Sequence, residues 1–187
     1  MIYIYLKAKD ASGTPREVAE SQSSEARDML RSALKSLSLP DAEIIKDGRG
    51  KPYFAAEGYP AVSISHTEGA VAVALATECP AVGVDIERHS PRLSDTRVAE
   101  RFFRGLSYQG CECFDIKIIT DGVTAPAEDC AATRFTLGEA IIKCDGGGFA
   151  ASAEATALAK KMEKSSYTVT LGGEKYSLSV AVKRKEK

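Results

Sequence analysis

The sequence predicts an α+β fold of two pseudo-symmetric halves, each a small antiparallel sheet packed on one principal helix. Three observations carry this. Short alternating or continuous apolar runs flank two helical stretches, one in each half. The strand-like runs are joined by tight polar or glycine connections, not by crossover helices. The order of strand, helix and strands is followed by helices and strands again after a seam near residues 88–93, although no convincing sequence repeat links the halves. The expected division is 1–90 and 91–187, working as one unit with a cleft between.

Taken in order, Met1–Lys7 alternates with period two and reads as a strand. "SSEARDMLRSALKSL", 23–37, reads as a helix capped by Ser23 or Ser24. Ala26, Met29, Leu30, Ala33, Leu34 and Leu37 form its apolar face, and Pro40 stops it. Residues 42–47 are a short strand and "GRGKPYF", 48–54, a Gly/Pro loop. Runs 60–65 and 69–77 are strands joined at "HTEG", where Gly69 supplies the turn geometry. With a third strand at 80–87 they suggest an antiparallel meander. Residues 94–103 read as a helix capped by Ser94, and 105–130 show no assignable pattern. Residues 131–149 read as a helix stopped by three glycines. Residues 166–185 read as a hairpin across Gly172-Gly173, and the charged tail "KRKEK", 183–187, as frayed and solvated.

Composition narrows the function classes. With 44% hydrophobic and 27% charged residues, the 187-residue chain can bury one core, or two small ones sharing a seam. A net charge of −1 gives no basic footprint for nucleic acid. No run approaches the roughly 18 apolar residues of a membrane span, and the N-terminus reads as a strand rather than a signal peptide. An odd count of five cysteines without a signal sequence fits a reducing cytoplasm. "CEC" at 111–113 lacks the CxxC spacing of zinc sites, so the thiols read as free.

The chemistry gathers elsewhere. Asp85 and Glu87 close an apolar strand at i and i+2, so their side chains share a face and repel. A hard divalent cation would relieve that repulsion, and so would a solvated strand end with both acids paired to Arg88 or Arg92. In "GEAIIKCDGGG", Glu139 and Lys143 share a helix face, either as a surface salt bridge or as a third ligand and a phosphate-holding cation. Ser65 and His66 are placed at a hairpin tip as anion donors, with Arg49 and Lys51 in the Gly-rich loop and Arg27 on the first helix. The loop lacks P-loop spacing. Five arginines between residues 88 and 104 suit an acidic partner or a solvated helix face.

The order "GKP", "SISHTEG", "VGVDIE", "RFF" and "FTLGEAIIKCDGGGF" resembles the 4′-phosphopantetheinyl transferase superfamily, over about 27–149. It is most similar to the longer, monomeric type that activates nonribosomal peptide and polyketide synthases. The resemblance implies two α+β halves with coenzyme A in the cleft between them. It implies Mg²⁺-dependent transfer of 4′-phosphopantetheine to a serine of an acyl or peptidyl carrier protein, releasing 3′,5′-ADP. By position, Asp85, Glu87 and Glu139 would hold the metal. Glu139, or a water on the metal, would take the acceptor proton, and Lys143 would stabilise charge on the diphosphate. Arg27, Lys51, Ser65, His66 and Lys143 would contact coenzyme A.

Two departures bear on activity. Where the family's third motif reads Trp-x-x-Lys-Glu, this chain has Phe135 for Trp and Gly138 for Lys. Gly138 removes a cation and weakens the helix by about 1 kcal/mol relative to Ala. The acid that the family places after "RFF" is missing. An alternative function is therefore a degenerate, non-catalytic module binding coenzyme A or a carrier protein.

Overall fold

Alternation in "IYIYLKA" builds β1 (Ile2–Ala8), with Ile2, Ile4 and Leu6 buried on one face. A computed structural model describes residues 1–9, 12–91, 93, 96–108 and 115–184. Arg92, Ser94, Cys111, Cys113 and the last three residues lie outside the described residues.

The first helix, α1 (Pro15–Ser36), begins a full two turns before the expected cap at Ser23 or Ser24. Thr14 caps it: its hydroxyl accepts from the Glu17 amide while the Glu17 carboxylate accepts from the Thr14 amide. Pro15 then sits at the first helical position, where its missing N–H costs nothing. The apolar face falls where the periodicity puts it. Leu30 and Leu34 are each 1% exposed, contributing roughly 1.5–3 kcal/mol apiece.

Beyond α1 come β2 (Ile44–Lys46) and β3 (Pro52–Phe54), a small two-stranded sheet where the sequence suggested only a loop after 47. The hairpin of β4 (Ala61–Thr67) and β5 (Ala70–Ala76) turns at Gly69, whose φ is +83°. Strand β6 (Ala81–Arg88) follows, but the expected meander stops at β5. Strand β6 crosses to a different sheet, pairing with a late strand of the chain. After α2 (Thr96–Phe102) come β7 (Ile116–Ile119) and β8 (Val123–Pro126), both inside the stretch whose pattern could not be assigned. Helix α3 (Ala131–Asp145) ends at Gly146, whose φ is +84°, earlier than the expected 149. A 3₁₀ turn (Gly148–Glu154) and α4 (Ala155–Ala159) lead to the hairpin β9 (Glu163–Leu171) and β10 (Glu174–Lys183). Lys183, read as part of a solvated tail, is the last residue of β10 and pairs with Asp145 at 2.7 Å.

Among the described residues, two four-stranded sheets result, in the orders β4-β5-β1-β7 and β6-β10-β9-β8. Each half of the chain lends one strand to the other: β6 joins the late strands, and β7 runs parallel to β1 in the early sheet. The boundary between sheets therefore does not fall at 90/91. The sheets pack back to back. On β5, Ala70, Ala72, Ala74 and Ala76 face the second sheet, while Val71, Val73 and Leu75 face α1. On β6, Val82, Val84 and Ile86 face the first sheet. The opposite face of β6 receives α3. A Cβ on Gly83 would sit 2.0 Å from the Ala140 carbonyl oxygen, so glycine there admits the helix backbone directly. The layers run α1, first sheet, second sheet, α3.

Candidate functional site

Strands β4 and β6 are edge strands of different sheets, and their edges meet. The seam is made by side chains. Ser63 Oγ accepts from the Val84 amide at 3.0 Å, and Ser65 Oγ accepts from the Ile86 amide at 3.3 Å. These hydroxyls meet backbone donors that an exposed edge would leave open.

The seam ends at the two carboxylates. Because Ile86 points into the core at 0% exposure, Asp85 and Glu87 both turn to the α3 side. Asp85 is 3% exposed, which rules out a solvated strand end for it. Its Oδ1 accepts from Ser65 Oγ at 2.7 Å and from Lys143 Nζ at 2.6 Å. Lys143 also donates to Ser65 Oγ at 3.1 Å. The Lys143 ammonium thus reaches across from α3 to the strand. Glu87 Oε2 accepts from Thr67 Oγ1 at 2.8 Å. Arg88, one of the suggested partners for these acids, turns to Glu68 and Glu174 instead, at 3.1 and 3.0 Å.

From α3, Glu139 enters the same space. Burial raises its pKa to about 7; the Asp85 and Glu87 charges push the same way, against Lys143. Among the described residues, two carboxylate oxygens, Asp85 Oδ2 and Glu139 Oε1, are buried with no hydrogen-bond partner. A cavity of about 690 Å³ opens here, and Arg27, Ser65, His66, Asp85, Glu87, Glu139 and Lys143 all line it. Lys46 and Phe135, not singled out as binding residues from sequence, line it too. The His66 pKa is held below its usual value by partial burial and then by Lys143, so the ring is a neutral donor or acceptor near pH 7.

Two expectations shift. Ser65 and His66 lie within β4 rather than at the turn, and the Ser65 hydroxyl is engaged three ways by Asp85, Ile86 and Lys143. Its single proton is committed to Asp85. Lys51 does not line the main cavity. Its ammonium donates to the Cys144 carbonyl at 2.6 Å, at the C-terminal end of α3, and burial lowers its pKa. It borders a smaller adjoining space of about 250 Å³, with Glu139 and Lys143.

Gly138 takes on a different meaning. A Cβ there would lie 2.3 Å from ring atoms of Phe103, which is 3% exposed and packs edge-on against Phe135. The second aromatic of "RFF" is thus seated on the bare helix backbone beside Glu139. The space beside Gly138 is filled by that ring.

Among the thiols, Cys79 and Cys144 are buried and free and Cys130 is exposed and free; burial pushes the Cys144 thiol up to about 11. No helix among the described residues is long and apolar enough to cross a membrane. No protein-family model matches the chain, and no curated protein matches it.

Proposed function

We propose that the protein is a 4′-phosphopantetheinyl transferase, moving phosphopantetheine from coenzyme A to a carrier-protein serine and releasing 3′,5′-ADP. The observation that carries the reading is convergence. Arg27 on α1, Ser65 and His66 on β4, Asp85 and Glu87 on β6, and Glu139 and Lys143 on α3 line one cavity.

Mg²⁺ is the cofactor this reading requires. Hard carboxylate oxygens are its preferred protein ligands, and the two unpartnered buried oxygens of Asp85 and Glu139 suit a cation. Among the described residues no group of three His, Cys, Asp or Glu side chains is already drawn together as a ligand set. Asp85, Glu87 and Glu139 would hold the ion, which when bound neutralises diphosphate charge. The chain's own groups do the rest. Arg27, His66 and Lys46 offer donors to phosphate oxygens across the cavity. Lys143 stabilises charge that develops on the leaving diphosphate oxygen. Glu139 takes the proton of the acceptor hydroxyl at its carboxylate. The non-catalytic alternative rests on Gly138 and on the acid missing after "RFF"; Phe103 packing accounts for the glycine and leaves the missing acid as it stands.

The test is incubation of an apo carrier protein with coenzyme A and Mg²⁺, followed by mass spectrometry. The expected result is a mass gain of one phosphopantetheine group, abolished by Asp85→Ala with the fold retained by circular dichroism. Absence of the gain across several carriers overturns the reading. So does normal turnover by the Asp85 variant, for the metal assignment.

A further inference from the structure

Strand β4 presents Ser63, Ser65 and Thr67 at alternate positions along the seam with β6. The first holds a backbone amide, the second holds an amide and Asp85, and the third holds Glu87. We infer that Thr67 is a positioning residue, fixing the Glu87 carboxylate for cation binding; this rests on the Mg²⁺ reading of the site.

The argument is geometric. Glu87 is half-buried at the end of an edge strand, where the orientation of its carboxylate depends on what it is bonded to. Thr67 Oγ1 donates to Oε2 at 2.8 Å and holds that orientation. Thr67 can do this because it is itself held from two sides. Its backbone is in register with Ala70 across the hairpin. Its carbonyl accepts from Gln22 Nε2 at 2.6 Å, and Gln22, from α1, is only 5% exposed. A buried amide on α1 thus fixes the strand end, and the strand end fixes the carboxylate. Partners that orient a ligand typically contribute 10- to 100-fold to metal affinity. A threonine hydroxyl suits the task. It carries one proton and a stiff χ1, whereas a charged partner would compete with the cation.

The test is Mn²⁺ binding to the full chain without coenzyme A, followed by electron paramagnetic resonance. Thr67→Val keeps shape and β-branching while deleting the donor. It is expected to weaken Mn²⁺ binding about tenfold, and to raise the Mg²⁺ concentration needed for half-maximal turnover. Thr67→Ser restores the hydroxyl and is expected to bind within about twofold of wild type. A Thr67→Val affinity equal to wild type, or a Thr67→Ser protein as weak as Thr67→Val, overturns the positioning role. A wild-type protein that binds no Mn²⁺ at all instead overturns the metal reading, and this role falls with it. Urea unfolding of each variant separates loss of donor from loss of fold.

Discussion

At the scale of the residue, Lys143 is the side chain whose position says most about the site. Its ammonium lies 2.6 Å from Asp85 Oδ1, with Ser65 Oγ at 3.1 Å, and so neutralises a carboxylate that would otherwise be buried unpaired. That arrangement has a cost for cation binding. A divalent ion on Asp85 would share its ligand with a positive charge a few ångströms away, and like charges repel strongly where water is scarce. Lys143→Met should therefore tighten Mn²⁺ binding in the absence of coenzyme A, while lowering turnover because the diphosphate loses its donor. Calorimetric titration with Mn²⁺ beside a turnover assay checks both arms. Weaker metal binding in the variant would show that Lys143 supports the ion rather than competing with it.

At the scale of the element, the decisive contact is Phe103 on Gly138. The ring lies where any side chain on α3 at that position would start. Gly138→Lys should destabilise the protein by about 1–3 kcal/mol through overpacking and should not raise turnover. Combining it with Phe103→Ala should recover part of the loss, since the two share one space. Urea unfolding of the single and double variants reads this directly; additive losses would mean that the ring and the glycine do not interact. The same scale shows what the sequence could reveal. Hairpin β4–β5, strand β6 and helix α3 were legible because their signals are local: period two, a turn glycine, a glycine stop. The true start of α1 was written at Thr14, Pro15 and Glu17, but the apolar stripe begins later and drew the eye to Ser23. That β6 leaves β5 for β10 was not legible, because pairing across ninety residues leaves no local trace. The spacing of Asp85 and Glu87 and of Glu139 and Lys143 marked them as candidates, and all four line one cavity. Thr67 was missed, since a threonine before a turn looks like turn chemistry. Nothing local in the sequence shows that the Lys51 ammonium meets the end of α3.

At the scale of the molecule, the two sheets pack face to face, and β4 and β6 bring their edges together at the cavity. This places three carboxylates where the walls are largely protein. Burying them is then a matter of global stability, and Glu139 reports it: desolvation first, then the Asp85 and Glu87 charges, raise its pKa against Lys143. Its pKa in the folded chain is about 7, against 4.5 for the free group. The folded protein thus holds a proton that the unfolded chain has already released between those values. The sign follows: this contribution is fully present below about pH 4.5 and is lost as pH rises through about 7. Wild-type protein without divalent cations should lose stability between pH 5 and pH 8, by up to roughly 2 kcal/mol from this group. Glu139→Gln, neutral throughout, should lack that component. The comparison is urea unfolding of both proteins at the two pH values in chelator. Mn²⁺ should restore stability at pH 8 in wild type and do so less in Glu139→Gln, because a bound cation offsets the charge that burial opposes. Equal pH slopes for the two proteins would show that neither burial nor the neighbouring charges hold the Glu139 proton in the folded chain.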